Sequence, residues 1–372
     1  MNKKLVTIIG TRPELIKLSE IIKKCDKFFD HTLIHTGQNY DYELNEIFFK
    51  DLDIRKPDYF LDVKSNRLGE AIGNIISHSY DILDEINPDC FMVLGDTNSC
   101  LSAISAKRLK IPIFHLEAGN RCFDQNVPEE INRKIIDHIS DINLTYTENA
   151  RKYLISEGIR KDFIFNVGSP MKEIISANNE HIQNSSILDQ MNLNPQDYIV
   201  VSIHREENVD DENSFNNILN SLDAVSKSTS KKIIFSTHPR TRKKLDKLSK
   251  KINPNIKFIK PLGFHDYLYL QLNSYVTLSD SGTISEESSM VNFPAVSIRT
   301  STERPESIDT GVIILGGIKN DSILQAIEIS VKSFSKIKYE LPKEYTIKNV
   351  SDRVVKIIQG YTSIINSEVW KK

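Results

Sequence analysis

Short apolar runs and amphipathic stretches alternate along almost the whole chain. Leu5 to Ile9 reads as a strand, and Pro13 to Lys24 follows as a helix with Leu15, Leu18, Ile21 and Ile22 on one face. Pro13 suits a first helical position. Thr32–His35, Cys90–Leu94, Ile111–His115, Ile142–Thr145 and Phe163–Phe165 read as further strands, with helical patterns between them. Cys90–Leu94 is apolar throughout, as expected of a strand covered on both faces. After a polar gap near 178–194 the alternation restarts with Tyr198–Ile203, Lys232–Ser236, Ile256–Ile259, Tyr275–Leu278 and Ala295–Ile298. A final amphipathic helix is expected from Asn349 to Ile365. Strands alternating with helices predict an α/β protein with two doubly wound, Rossmann-like domains. The expected division is 1–168 and 169–350, joined near Gly168-Ser169-Pro170, with a last helix over 351–372.

Polar motifs recur at one kind of place. Gly10-Thr11-Arg12-Pro13-Glu14, His35-Thr36-Gly37-Gln38, Gly95-Asp96-Thr97, His115-Leu116-Glu117-Ala118-Gly119, His204-Arg205-Glu206-Glu207, His238-Pro239-Arg240 and Asp280-Ser281-Gly282 each follow a predicted strand. In a parallel sheet these carboxyl ends share an edge, where ligands bind. Two such domains facing each other make a cleft with motifs on both walls. Asp280-Ser281-Gly282-Thr283 turns from a strand into a helix, so its backbone N–H groups suit a phosphate, with hydroxyls from Ser281 and Thr283. Glu287, one turn further in, can accept from ribose hydroxyls. Thr302-Glu303-Arg304-Pro305-Glu306 is a second anion candidate, and together the two point to a nucleoside diphosphate. The competing reading is a well-capped turn beside a solvated charge cluster.

Asp96, Glu117 and Glu129 or Glu130 supply carboxylates in the first half, and His204 and His238 supply imidazoles in the second. Such pairs make general acids and bases. Asp96 and Glu117 also suit helix caps or ion pairs with Arg121 or Arg133, and His204 suits a sheet-edge histidine compensated by its charged neighbours. His238, before Pro239 and Arg240, leans toward an anion contact, and His35 toward a structural role. Lys17 can position a ligand or lie solvated on its helix.

Composition narrows the classes. The 372 residues carry a net charge of −2, 39% hydrophobic and 26% charged residues, which gives no sign of a nucleic-acid or membrane-surface binder. No apolar run approaches the roughly 20 residues of a membrane span. The opening Met1-Asn2-Lys3-Lys4 enters Leu5–Ile9 without a signal peptide's h-region, so a cytoplasmic location is expected. The four cysteines are scattered, without CxxC spacing, and His204, Glu206 and Glu207 lack HExxH spacing, so no metal is expected. The first strand–helix turn has one glycine where a dinucleotide fingerprint needs three, so no nicotinamide cofactor is expected, nor any other cofactor.

Taken jointly, Gly10–Glu14, Gly95-Asp96-Thr97, Glu117-Ala118-Gly119, Pro128-Glu129-Glu130, His204-Arg205-Glu206, Asp280-Ser281-Gly282 and Thr302–Glu306 resemble the non-hydrolysing UDP-N-acetylglucosamine 2-epimerases, from the first strand to at least Gly317. The resemblance implies a glycosyltransferase-B type fold, an active site in the interdomain cleft, a homodimer, and a last helix that crosses back onto the first domain. It implies Asp96, Glu117, Glu129 and His204 as the catalytic set. Arg12, Ser281, Gly282, Thr283, Glu287 and His238 would bind UDP, with Lys17 and Arg304 positioning sugar or phosphate. The segment Glu117–Glu130 departs from the main branch. Asn120 precedes the arginine where Leu or Ile is typical, Cys122 follows it in place of Ser or Thr, and the loop is slightly shorter. That segment, with His35–Asn45, resembles the branch that converts UDP-2-acetamido-2,6-dideoxy-L-talose to UDP-N-acetyl-L-fucosamine for capsule or O-antigen. A UDP-GlcNAc/UDP-ManNAc epimerase and a UDP-sugar glycosyltransferase of the same fold are the alternatives.

Overall fold

The protein, as a computed structural model, is described for residues 2–37, 42–63, 65, 67–246, 252–337 and 339–372. Gln38, Asn39, Tyr40 and Asp41 of the His35–Asn45 motif lie outside the described residues, as do the side chains of Tyr42 to Asn45, Glu206, Glu207 and Arg240. The chain forms two compact units, Met1–Ala177 with Ile347–Lys372, and Asn178–Thr346.

The first unit is built on seven strands: β1 (Lys4–Ile9), β2 (Asp30–His35), β3 (Tyr59–Phe60), β4 (Cys90–Leu94), β5 (Ile113–Leu116), β6 (Ile142–Thr145) and β7 (Ile164–Asn166). They form one parallel sheet in the order β3-β2-β1-β4-β5-β6-β7. The second unit has β8 (Tyr198–Ser202), β9 (Lys232–Ser236), β10 (Ile256–Ile259), β11 (Val276–Ser279), β12 (Ala295–Ser297) and β13 (Ile314–Leu315). Its sheet is also parallel, in the order β10-β9-β8-β11-β12-β13. Both sheets are doubly wound, as expected. The central strands are buried along their length because helices cover both faces: all of Cys90–Leu94 and Val276–Ser279 are out of solvent.

The structure adds what periodicity does not show. β3 and β13 are two-residue edge strands, half open to solvent, too short to leave an apolar run. The polar gap at 178–194 holds two short helices, Asn179–Gln183 and Ile187–Met191. Ile182, Ile187 and Leu188 are buried there, and both helices pack on the helix Phe264–Leu272. Three apolar residues spread over two five-residue helices fall below the window in which a 3.6 period is visible.

The helix Arg12–Phe28 begins at a reciprocal cap, where the Glu14 carboxylate accepts from the Thr11 amide at 2.6 Å. The C-terminal helix Val350–Ile365 lies along it, burying Val350, Val354, Ile358 and Ile365. Lys24 pairs with Asp352 at 2.9 Å, and the Phe165 and Tyr361 rings meet edge-on at 4.7 Å. Among the described residues no helix is long and apolar enough to cross a membrane.

After β5 the backbone comes into close contact with the helix Glu148–Ser156. Gly119 has φ +82°, and a Cβ there would lie 2.4 Å from the Ala150 carbonyl oxygen. Both the left-handed backbone and the clash exclude a side chain. Gly119→Ala is therefore expected to destabilise the first unit by on the order of 3 kcal/mol. Urea unfolding checks this, and an unchanged midpoint would contradict the assigned contact.

Candidate active site

Each sheet has one place where strand order reverses, between β1 and β4 in the first unit and between β8 and β11 in the second. Crossovers leave in opposite directions there, so the carboxyl edge is left uncovered. Gly10–Glu14 and Gly95–Thr97 occupy the first reversal, and His204 and Asp280–Thr283 occupy the second.

In the first unit, Glu14 ties the two turns together. It is buried, one oxygen accepting from the Gly10 and Thr11 amides at 2.9 and 2.6 Å and from the Thr11 hydroxyl. The other accepts from the hydroxyls of Thr97, at 3.1 Å, and Ser99. Burial holds its carboxyl above the ordinary range, although those donors pull it down. One turn on, Lys17 projects into the site, and its ammonium donates to both oxygens of Glu117, at 2.8 and 2.6 Å. Both side chains are 8% exposed, so Lys17 is no solvated helix lysine. Glu117 has φ +67°, a left-handed conformation that a non-glycine residue adopts only when its surroundings impose it. Gly95, also left-handed, leaves room beside it: a Cβ there would sit 3.8 Å from Glu117 Oε2. Asn120 donates to Glu117 Oε1 at 3.4 Å.

Asp96 sits in a different setting. Its Oδ2 accepts from Arg133 Nε and Nη2 at 2.8 and 2.7 Å, and its side chain is 24% exposed. Arg133 also donates to buried Glu130 at 2.9 Å. Glu130 in turn accepts from the Cys122 and Phe123 amides, which anchors the segment after Arg121. Glu129 stands half-exposed in the first turn of the helix Pro128–Ile139, and Arg12 stands half-exposed with its guanidinium carbon 5.7 Å from the centre of the Phe48 ring.

In the second unit the organising group is Asp280, which is buried. It accepts from the backbone amides of His204 and Arg205 and from Asn208 at 3.0 Å. The imidazole Nδ1 of His204 lies 3.1 Å from Asp280 Oδ1. A proton on Nδ1 therefore faces Asp280, and Nε2 is left as the working nitrogen. Burial raises the Asp280 carboxyl pKa, but His204, Asn208 and the Arg205 amide outweigh it and hold the group at about 2. The His238 ring lies 6.0 Å from that of His204, centre to centre. Ser281 and Thr283 are half-exposed, their hydroxyls 3.0 Å apart, ahead of the helix Ile284–Val291. Gly282 lies against Glu303, where a Cβ would be 2.4 Å from Oε1. Glu287 accepts from Gln271 at 3.0 Å.

Within the first unit the structure brings together Lys17, Glu117 and the Gly95 turn, and within the second His204, His238 and the Asp280–Thr283 turn. Arg304 is placed differently from the others. It is 1% exposed, and its guanidinium lies 3.1 Å from buried Glu286. Asp96 takes up the ion pair with Arg133 that its sequence allowed, whereas Arg121 pairs with Asp137 at 2.7 Å and not with Glu117. Asp280 and Glu14, which organise the turns of their own units, were not singled out. Both sit inside the strand-end motifs, and only their burial distinguishes them.

Residues 23–359 match the family described as UDP-N-acetylglucosamine 2-epimerase. The chain belongs to that family. It is thereby an isomerase. It is 39% identical over 343 residues to a UDP-N-acetylglucosamine 2-epimerase of Methanocaldococcus jannaschii, covering 88% of this chain and 92% of the relative. Its fold superposes on that of a UDP-N-acetylglucosamine 2-epimerase from Rickettsia bellii with a TM-score of 0.93 and 47% identity, over 100% of both chains. It superposes on the M. jannaschii UDP-GlcNAc 2-epimerase in complex with UDP-GlcNAc and UDP with a TM-score of 0.89 and 36% identity, over 96% of this chain and 99% of that one. The fold, of two Rossmann-like units, is thus of the glycosyltransferase-B type.

Asp280 gives the second unit an acid-sensitive element. A carboxyl held at about 2, below its usual 3.8, stabilises the fold fully above the higher value and loses that contribution as pH falls through the lower one. About 2 kcal/mol is expected to disappear between about pH 4 and pH 2. Asp280→Asn should flatten this acid limb in urea unfolding across that range. Equal acid sensitivity in the variant would place the titration elsewhere.

Proposed function

We propose that this chain epimerises carbon 2 of a UDP-activated 2-acetamido sugar by eliminating UDP and adding it back. The observation that carries the reading is the pair of unlike carboxylates at the carboxyl ends of adjacent strands β4 and β5, Asp96 held by Arg133 and Glu117 held by Lys17. Carbon 2 has no neighbouring carbonyl, so its proton is not acidic. Departure of UDP from carbon 1 makes the step accessible. A carboxylate takes the C2 proton, the C–H electrons form the C1–C2 double bond, and the C1–O pair leaves with UDP. The glycal then accepts a proton at C2 from the opposite face as the UDP oxygen returns to C1. Two faces require two proton-transfer groups in distinct settings, which Asp96 and Glu117, with Glu129 in the first turn of the helix Pro128–Ile139, supply. The leaving diphosphate requires cations and N–H donors, a role for Arg12, His204, His238 and the Ser281-Gly282-Thr283 turn, with Glu287 on the ribose. Lys17 orients Glu117 through both carboxylate oxygens. A relative solved with UDP-GlcNAc and UDP supports the ligand class.

Two outcomes test the chemistry. Product formed in D₂O carries deuterium at C2, whereas full retention of the original hydrogen would rule out elimination. Glu117→Gln and Asp96→Asn are expected to lower turnover on the order of 10²-fold or more while UDP affinity holds, and Ser281→Ala to weaken UDP binding instead. Incubation with the nucleotide sugar alone separates this enzyme from a glycosyltransferase, which forms no C2 epimer.

The finer reading is that the sugar is UDP-2-acetamido-2,6-dideoxy-L-talose, converted to UDP-N-acetyl-L-fucosamine for a surface polysaccharide by a cytoplasmic homodimer. Its support is the segment from Asn120 to Val127. Asn120 reaches Glu117, and Cys122 and Val127 are buried, while Phe123 is exposed and packs edge-on against Tyr153 at 5.3 Å. A 6-methyl group suits an apolar wall, whereas a site built to bond a hydroxyl leaves polar groups unpaired against it. Side-by-side assays should give the higher kcat/KM on the 6-deoxy sugar. A higher value on UDP-GlcNAc assigns the chain to UDP-GlcNAc/UDP-ManNAc interconversion, the activity in its relatives' names.

A further inference from the structure

One buried group joins the two carboxylate-bearing turns from behind. His115 lies on β5, 1% exposed. Its Nε2 is 3.0 Å from the Gly95 carbonyl oxygen, on the peptide that leads into Asp96. Its Nδ1 is 2.9 Å from Asp137 Oδ1, as an ion-pair contact off the ideal hydrogen-bond direction. A carbonyl oxygen only accepts, so Nε2 carries a proton. Nδ1 is thereby turned toward the Asp137 carboxylate.

Asp137 completes the connection. Its two oxygens accept from the Gly119 amide at 3.2 Å each, two residues past Glu117. Oδ2 also accepts from Arg121 Nη1 at 2.7 Å. Arg121 continues through Nε and Nη2 to Glu157, at 2.8 and 2.7 Å, and His138 reaches Glu157 from the surface at 3.1 Å. Apart from that exposed histidine, the network joins two carboxylates, Arg121 and His115. Asp137 is buried at 1% exposure, and its carboxyl nevertheless lies below the ordinary range: burial raises it, and His115 and Arg121 lower it further.

The geometry points to His115 and Asp137 as a positioning pair for the epimerisation, a buried histidine–carboxylate clamp that fixes the Asp96 turn against the Glu117 turn. This rests on the assignment of Asp96 and Glu117 as the proton-transfer groups. Gly95 is gripped through its carbonyl and Gly119 through its amide, and the left-handed Glu117 is held between them. Neither His115 nor Asp137 touches substrate. They act through the separation and direction of two carboxylates, which proton transfer reads steeply, since a misplacement of about 1 Å can cost on the order of 10²-fold in rate.

Two measurements decide it. Nitrogen NMR of the unsubstituted enzyme, labelled at histidine and assigned with His115→Gln, should show a proton held on His115 Nε2, where it faces the Gly95 carbonyl. A bare Nε2 overturns the clamp, whatever the variants do. In steady-state assays, His115→Gln and Asp137→Asn are expected to lower kcat roughly 10- to 100-fold, with deuterium exchange at C2 slowed in parallel and KM and UDP affinity unchanged. A raised KM with kcat intact, or an unchanged kcat, overturns the inference if Asp96→Asn and Glu117→Gln are themselves slow. If those two variants keep full turnover, the failure belongs to the underlying assignment. Should the substituted proteins not fold, the NMR result alone decides.

Discussion

An all-parallel sheet cannot return its chain without a crossover, and that constraint organises everything else in this molecule. Every strand must run the same way, so every strand's carboxyl end reaches the same edge. Helices then cover both faces, and the loops that enter them gather where polar backbone is otherwise unused. At β1/β4 and β8/β11 the crossovers part to opposite sides, and the edge between them is left bare. Helix N-termini face that edge, and their unsatisfied N–H groups favour acidic side chains in the protein and anionic groups in a ligand. Carboxylates collect there because burying an unpaired charge in the sheet interior is costly.

Placing charge at a half-buried edge is costly unless each charge has a partner. The molecule meets this separately at each group. Glu117 has Lys17, Asp96 has Arg133, Asp280 has His204 with three N–H donors, and Glu14 has only neutral donors. The consequence appears in the ionisation. His204 and amide donors hold Asp280 low, whereas hydroxyls and amides leave the buried Glu14 above its ordinary range. Carboxylates of nearly equal intrinsic acidity are thus separated by their neighbours.

The doubly wound architecture was legible because the signal is repetitive. Cys90–Leu94, Ile142–Thr145, Lys232–Ser236 and Ile256–Ile259 are strands at the residues their apolar runs span, and most others differ by one to three residues. What escaped was short or exposed, such as the edge strands Tyr59–Phe60 and Ile314–Leu315. At the site, residue types at strand ends were visible, but their partners were not. Lys17 and Glu117 lie 100 residues apart, and Arg205 and Asp280 lie 75 apart. No period links such pairs, and a lysine on an amphipathic helix reads the same whether its end meets water or a carboxylate. Burial tells Arg304 from Arg133 just as little in advance. Both are arginines in charged motifs, and one ends against Glu286 while the other ends against Asp96.

Backbone conformation is the last layer the sequence conceals. Three left-handed residues, Gly95, Glu117 and Gly119, lie at the carboxyl ends of adjacent strands. Two are glycines, which adopt that conformation at little cost, and the third is the carboxylate itself. A left-handed non-glycine residue costs roughly 1–2 kcal/mol. Glycine at 117 would relieve that strain and remove the acid, whereas an extended glutamate would relieve it and turn the carboxylate away from Lys17. The strain is tolerable because the flanking backbone has no alternative. Gly119 is wedged against Ala150 and bonded to Asp137, and Leu116 is fixed in the sheet opposite Leu94. Rigid elements on both sides thus impose a conformation that the residue's own preference opposes, and the sheet edge turns packing energy into the orientation of one carboxylate.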